Sequence, residues 1–364
     1  MRIVAVLLIV LAAACTPRGS ITFDPAAAFV GDVRPVFIGT TRGTGTGGYD
    51  STRARTVSFA RYEISVPPDR AQGEITWPPK GGKPDPRIHF LTTDKQTFAG
   101  RAGFQADLAR ALRSHQNEAV IFVHGFNTNF AEGTYRIAQM AHDLDLPGVV
   151  VHYSWPSAAQ PLGYAYDRDS ALFARDGLEQ LILAVEAAGA RQLVLVSHSM
   201  GSALLMESLR QMAIRGETRA LARVGGVVLI SPDIDVDVFR AQAMSIPRLP
   251  QPFVVFTSGK DSVLKLSARL TGQEDRLGTL TDLSRVADLS ITLLDTAAFN
   301  SGDGHFDLVK SPSLLRLLDG IISVDTALGS DRVARTGLLP GVVLTVQNAT
   351  RIVLAPVATL GTPR

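Results

Sequence analysis

Ser199 sits where an apolar run meets a helix-forming run, in the stretch QLVLVSHSMGSALLM over Gln192–Met206. The apolar run ends at Ser197 and the helix-forming run opens at Gly201, so small residues stand two before and two after Ser199. A strand-to-helix turn this sharp crowds both flanking positions and leaves the central hydroxyl exposed at the sheet edge. The helix N-terminus beneath it favours developing negative charge. That is the setting of a nucleophilic serine. The competing reading is an ordinary N-cap serine.

A second stretch, AVIFVHGFNTN over Ala119–Asn129, runs an apolar strand straight into His124-Gly125-Phe126-Asn127. Glycine at 125 lets the backbone come close to a substrate oxygen. The His124 imidazole is expected to fix this loop rather than act as a base. A serine nucleophile needs a base, and the chain has seven histidines. Only His305 lies beyond the nucleophile's own turn, in the glycine-flanked run NSGDGHF over Asn300–Phe306. Two carboxylate positions follow apolar runs: Asp261, after Pro252–Thr257, and the pair Asp233 and Asp235, after Val224–Ile230.

Positioning these groups requires an ordered set of elements. Short apolar runs at Glu118–Val123, Gly148–Tyr153, Gln192–Ser197, Val224–Ile230, Pro252–Thr257 and Ser290–Leu294 read as strands covered on both faces. Helical patterns at Phe130–Asp143, Arg168–Ala188, Gly201–Ile214 and Ser311–Ile321 separate most of them. This alternation predicts an α/β fold with a mostly parallel sheet flanked by helices. Upstream, Val36–Thr40, Thr56–Val66 and Arg87–Thr92 are further strand candidates, with loops expected over Arg42–Tyr49 and Pro78–Pro86. The tail Leu338–Leu360 reads as a hairpin, a packing arm or a membrane-contacting segment, with packing the default.

These residues resemble the α/β-hydrolase superfamily, and within it the bacterial esterase/lipase-like family DUF900. The resemblance rests on Phe37-Ile38-Gly39-Thr40-Thr41-Arg42, Tyr62-Glu63-Ile64-Ser65-Val66-Pro67 and His124-Gly125-Phe126-Asn127. It continues through Tyr153-Ser154-Trp155-Pro156-Ser157, Tyr166-Asp167-Arg168-Asp169-Ser170 and His198-Ser199-Met200-Gly201, and spans roughly residues 35–320. It implies a triad in the chain order serine, acid, histidine, hence Ser199, Asp261 and His305. Asp233 or Asp235 stays open as the acid. It also implies an oxyanion hole from the N–H groups of Phe126 and Met200. Trp155 reads equally as a pocket wall or a packed aromatic.

The N-terminus reads MRIVAVLLIVLAAACTPRGS. Arg2, the apolar run Ile3–Ala14 and the small residues before Cys15 resemble a lipoprotein signal peptide cut ahead of a lipidated Cys15. The organisation predicted is a signal over 1–14, a linker over 15–33, the hydrolase body over 34–325 and a C-terminal extension over 326–364. Thr16, where an aspartate would signal inner-membrane retention, points to the outer membrane, facing the periplasm. A soluble periplasmic protein is the alternative.

Composition sets the outer bounds. The 364 residues carry 36 basic and 34 acidic side chains, a net charge of +2, with no basic run for nucleic acid. One cysteine excludes an internal disulfide framework or a Cys-based zinc cluster. The glycine-rich Arg42–Gly48 lacks the G-K-[ST] of a phosphate loop, and Asp233, Asp235 and Asp237 lack the glycine and glutamate of a calcium loop. The expectation is a serine hydrolase for acyl bonds, carboxylic esters first, acting on small or lipid-like substrates without a metal or organic cofactor. Its rival is a non-catalytic envelope lipoprotein that uses the same scaffold for binding.

Overall fold

The computed structural model describes residues 18–272, 275–299 and 338–356. Cys15, His305 and the helix expected over Ser311–Ile321 lie outside the described residues. The described chain builds an 11-stranded sheet. Its strands are β1 (Asp32–Gly45), β2 (Gly48–Val66), β3 (Leu91–Phe98), β4 (Glu118–Val123), β5 (Val149–Ser154) and β6 (Gln192–His198). They continue as β7 (Val224–Ile230), β8 (Phe253–Thr257), β9 (Thr292–Asp295), β10 (Leu338–Val346) and β11 (Ala349–Pro356). The spatial order is β10-β11-β9-β8-β7-β6-β4-β5-β1-β2-β3. From β11 through to β1 the pairings are parallel, and β10, β2 and β3 join antiparallel at the two edges.

The helices are α1 (Arg101–Ser114), α2 (Phe130–Asp143), α3 (Tyr164–Ala187), α4 (Met200–Arg215), the short α5 (Thr218–Leu221), α6 (Val236–Met244) and α7 (Ser262–Leu270). Two cores result, one on each face of the sheet. On one face α1, α3, α4 and α6 pack on Ile121, Leu195, Leu229 and Val255. On the other, α2 packs on Val120, Val196, Val228 and Val254. Alternate residues of each central strand are thus claimed by opposite faces, which is why these strands read as unbroken apolar runs.

The chain departs from the expected elements where the signal is polar or short. The glycine-rich stretch after Arg42 is not a loop, because β1 runs on to Gly45 and pairs with Gly48 across a tight turn. The third strand is Leu91–Phe98 rather than Arg87–Thr92, an edge strand whose residues Asp94–Thr97 are exposed. Helix α1 was not expected, although Phe104, Leu108 and Leu112 recur at fourfold spacing and are fully buried. Helices α6 and α7, nine residues each, are capped by Asp235 and Asp261. The tail forms a hairpin whose β11 pairs parallel to β9. Residues read as a linker lie against the body, with a 3-10 turn over Pro25–Phe29 and a bridge from Phe23 to Thr92. No helix among the described residues is long and apolar enough to cross a membrane.

Candidate active site

The sheet order places β4 between β5 and β6, so the chain leaves β4 for one side and returns to the other. Ligands of open α/β sheets bind outside the C-terminal strand ends at such a reversal. Ser199 follows β6 there and His124-Gly125 follow β4. The two loops touch through glycines. A Cβ on Gly201 would stand 2.2 Å from the His124 carbonyl oxygen, and one on Gly125 would stand 2.5 Å from His198 Nδ1. Serine at 197 is fully buried and its Oγ donates to Ser202 Oγ at 3.0 Å, tying strand end to helix start.

Ser199 has φ 51° and ψ −124°, a conformation that costs a non-glycine residue about 1–3 kcal/mol. Its backbone holds it there. The N–H donates to Ile230 O at 2.9 Å, and the carbonyl accepts from Ser202 N at 3.0 Å and Asp233 N at 3.1 Å. These three backbone hydrogen bonds over-determine the strained conformation. Among the described residues, neither the Phe126 nor the Met200 N–H donates a hydrogen bond. Met200 opens α4, where N–H groups lack helical acceptors. Phe126 is half-buried, its ring edge-on to Tyr164 at 5.5 Å.

His124 is buried, and burial followed by the nearby Arg42 charge holds its imidazole well below the ordinary histidine value. Its Nδ1 lies 2.9 Å from Gly125 O, and its ring stacks on Trp155 at 4.9 Å. Trp155 Nε1 donates to His124 O at 2.7 Å, and Trp155 is fully buried. His124 therefore shapes the loop, and Trp155 is packing rather than pocket wall.

The residues that sequence reasoning passed over stand beneath this loop. Arg42, 2% exposed, donates from Nε to Ser154 Oγ at 2.9 Å and from Nη1 to Ser157 O at 3.1 Å. Its Nη2 donates to Thr128 O at 2.8 Å and lies 3.4 Å from His124 Nε2. Burial pulls the guanidinium down to about 10, against the pull of Asp167 and other carboxylates, so it stays charged at neutral pH. Asp167 accepts from Ser157 Oγ at 2.6 Å, Ala158 N at 2.6 Å and Asn127 N at 3.1 Å. Burial raises its carboxyl while these bonds and Arg42 oppose the rise. Arg42 and Asp167 thus grip the His124–Thr128 loop from both sides. Both lie in stretches that carried the family resemblance, which was the available signal.

Each carboxylate candidate is hydrogen-bonded. Asp261 is fully buried after β8, and its Oδ1 accepts from Leu264 N at 2.9 Å. Asp233 accepts from Tyr164 Oη at 2.9 Å and Ser267 Oγ at 2.6 Å, and its Oδ1 lies 3.1 Å from Arg276 Nε. Asp235 Oδ1 accepts from the Asp237 and Val238 N–H groups. Ser199, Phe126, Met200 and Asp261 are therefore gathered at one sheet edge. No cluster of three potential metal ligands occurs among the described residues.

The family described as alpha/beta hydrolase of unknown function, DUF900, matches residues 100–319. No curated protein matches the chain. Among solved structures it is similar to a metagenome-derived chain from work on the lipolytic enzymes LipS and LipT, at 14% identity and a TM-score of 0.28, over 39% of this chain and 72% of that one. It is also similar to Aspergillus fumigatus lipase B, at 15% identity and a TM-score of 0.28, over 39% of this chain and 37% of that one. A fungal esterase from Rhizomucor miehei matches at 12% identity and a TM-score of 0.35, over 82% of this chain and 85% of that one.

Proposed function

Because the chain belongs to the DUF900 family of α/β hydrolases, we propose that it is a serine hydrolase cleaving acyl bonds, carboxylic esters foremost, through Ser199, Asp261 and His305. The observation that carries this reading is the backbone of Ser199, forced to φ 51° and ψ −124° at the strand-to-helix corner opposite Gly125. His305 removes the Ser199 proton as Oγ attacks the carbonyl carbon. The N–H groups of Phe126 and Met200 hold the oxyanion. The ester oxygen leaves with the proton from His305, and the acyl-enzyme remains. Water, deprotonated by His305, then releases the acid and restores Ser199. The place of Asp261, in the turn directly after β8 and fully buried, supports it as the carboxylate that orients His305.

The hydrolase is anchored in the bacterial envelope by lipid on Cys15, facing the periplasm from the outer membrane. The apolar run and small residues ahead of Cys15 support this reading, and Arg18 sets where the chain after Cys15 meets the body. It donates to Asn127 Oδ1 and to Asn127 O, both at 2.8 Å, and to Glu132 Oε2 at 2.6 Å. The segment leading from Cys15 is thus tied to the loop beside the nucleophile.

A fluorophosphonate probe tests the catalytic reading, since it labels only an activated serine. The wild type should label and Ser199→Ala should not. Failure of the wild type to label, with no turnover of any ester, would leave the scaffold a binding protein.

A further inference from the structure

We infer that Tyr164 is a positioning residue for the oxyanion hole: its ring sets the Phe126 loop, and its hydroxyl ties that loop to the turn that holds Ser199. The assignment rests on the serine-hydrolase reading for the role of Phe126, and on the contacts of Tyr164 for its own. Tyr164 and Met200 line one cavity of about 170 Å³, which puts the phenol next to the second oxyanion residue.

Three parts of the fold meet on this side chain. Tyr164 is the first residue of α3, and Asp167 follows one turn later on the same helix face. Asp167 accepts from the Asn127 N–H, and the Tyr164 ring meets the Phe126 ring edge-on, with centroids 5.5 Å apart and planes at 67°. Edge-to-face contact is a preferred geometry of aromatic pairs. The first turn of α3 thus holds two successive residues of the oxyanion loop, one by its ring and one by its backbone. The far end of the phenol is anchored. Its Oη donates to Asp233 Oδ2 at 2.9 Å and lies 2.8 Å from Ser267 Oγ, which donates to Asp233 Oδ1 at 2.6 Å. Burial, then the Asp233 charge, pushes the phenol up to about 12, so the donor proton stays in place at neutral pH. Asp233 is itself buried, and its backbone N–H donates to Ser199 O at 3.1 Å. Tyr164 therefore spans from the first oxyanion donor to the residue that holds the nucleophile in its strained conformation, and fixes one relative to the other.

The test uses the full chain in detergent, with 4-nitrophenyl hexanoate as substrate and hexyl trifluoromethyl ketone as a probe of the oxyanion hole. Ser199 Oγ adds to the ketone carbon, its proton passes to His305 and the carbonyl oxygen becomes the oxyanion, so the Ki reports the hole itself. Tyr164→Leu removes the ring and should lower kcat by on the order of 10²-fold with KM nearly unchanged, as for a donor displaced by ~1 Å. Tyr164→Phe keeps the ring and frees it from Asp233, and should lose about ten-fold. In both, Ki should rise by the factor by which kcat/KM falls. Ser267→Ala is the control. It takes a hydrogen bond from the same carboxylate and leaves the Tyr164–Phe126 pair in place, so it should shift the urea midpoint while kcat and Ki stay near wild type. Wild-type kcat and Ki in both Tyr164 variants overturn the assignment while the hydrolase reading stands. So does a Ser267→Ala variant as impaired as Tyr164→Phe, which would place the effect in Asp233. If Tyr164→Leu does not fold, Tyr164→Phe decides alone. A wild type that neither turns over an ester nor labels with a fluorophosphonate ends the hydrolase reading, and this assignment with it.

Discussion

Gly125 lies so close to Ser199 that a Cβ at position 125 would stand 3.0 Å from the Ser199 Cβ and 2.5 Å from His198 Nδ1. Gly125→Ala must therefore push the Phe126 N–H away from the nucleophile. Displacing a catalytic donor by about 1 Å costs on the order of 10²-fold in rate. Ester kcat should drop by about that factor with the protein still folded. Gly103→Ala is the control, since its Cβ would meet only the Phe98 side chain, at 3.5 Å or more. It should leave kcat unchanged and raise helix stability by up to about 1 kcal/mol. Equal rates for both variants would remove Gly125 from the site.

Arg42 and Asp167 are both buried and hold the same loop, so their removal should separate stability from rate. Arg42→Met strips the countercharge from buried Asp167 and leaves the Ser157 and Thr128 carbonyls without their donor. Loss of one buried partner costs about 3–5 kcal/mol, readable as a shifted urea midpoint. Asp167→Asn keeps the shape and weakens the hold on the Asn127 N–H and Ser157 Oγ. It should lower kcat by about ten-fold or more with KM nearly unchanged, because only the position of the oxyanion donor moves. A change confined to KM would contradict this.

How far the site was legible follows from where each signal lives. Ser199, Gly125 and Gly201 stand at the ends of apolar runs, and the close approach that demands small residues leaves a mark in the sequence itself. Strands 118–123 and 224–230 and helix 130–143 appear at the expected residues because both sheet faces are buried and helix α2 has a capping box at Asn129 and Glu132. The role of Arg42 was not legible. A buried cation is defined by partners over 80 residues away, such as Thr128 and Ser154, and no local pattern carries that. Helices α6 and α7 escaped because their nine residues give the helical period little room, and their Asp caps read as candidate acids instead. The run after Arg42 read as a loop from its glycines, yet cross-strand pairing with β2 holds it extended.

The choice of triad acid turns on what each carboxylate already does. Asp261→Asn retains an N-cap for α7, since asparagine caps as well as aspartate. The fold should hold while turnover falls by about 10⁴-fold, the loss typical of a neutralised triad acid. Asp233→Asn leaves Arg276 buried without its countercharge, with an expected stability loss of about 3–5 kcal/mol. The kcat of its folded fraction should stay within several-fold of wild type. A folded Asp233→Asn with no activity would move the acid to the loop after β7.

His152 predicts the response to acid. It is fully buried, its Nε2 has no hydrogen-bond partner, and burial, helped by the Arg42 charge, lowers its imidazole to about 3. An unfolded histidine titrates near ~6.5. Below that pH the unfolded chain binds a proton that the native chain refuses, so stability falls as pH drops from ~6.5 towards about 3. Each such histidine contributes a slope of about 1.4 kcal/mol per pH unit, and His124 is displaced in the same direction. Urea titrations from pH 7.5 to 5 should show this decline. His152→Gln should flatten it by about one proton, whatever it does to stability at pH 7.5. An unchanged slope would mean that His152 is protonated in the native protein.

The last prediction joins Cys15 to the catalytic edge. Arg18 grips Asn127 and Glu132, Gly19 N donates to Glu132 Oε1 at 3.1 Å, and Asn129 Nδ2 donates to Gly19 O at 2.8 Å. Cys15 lies three positions before Arg18, a reach of at most ~11 Å. Lipid on Cys15 would therefore hold the Ser199 edge against the membrane surface, with the wholly exposed Leu162 on the β5–α3 connection. Wild-type protein should fractionate with membranes and carry acyl mass on its N-terminal peptide, and Cys15→Ser should do neither. Ten glycine and serine residues inserted after Cys15 should lower turnover of a membrane-embedded ester and leave that of a water-soluble ester unchanged. Arg18→Ala, which frees the same tether, should reproduce the effect more weakly. Wild-type protein recovered soluble from the periplasm without lipid mass would end the anchoring proposal, and equal turnover of embedded ester with and without the spacer would end the orientation.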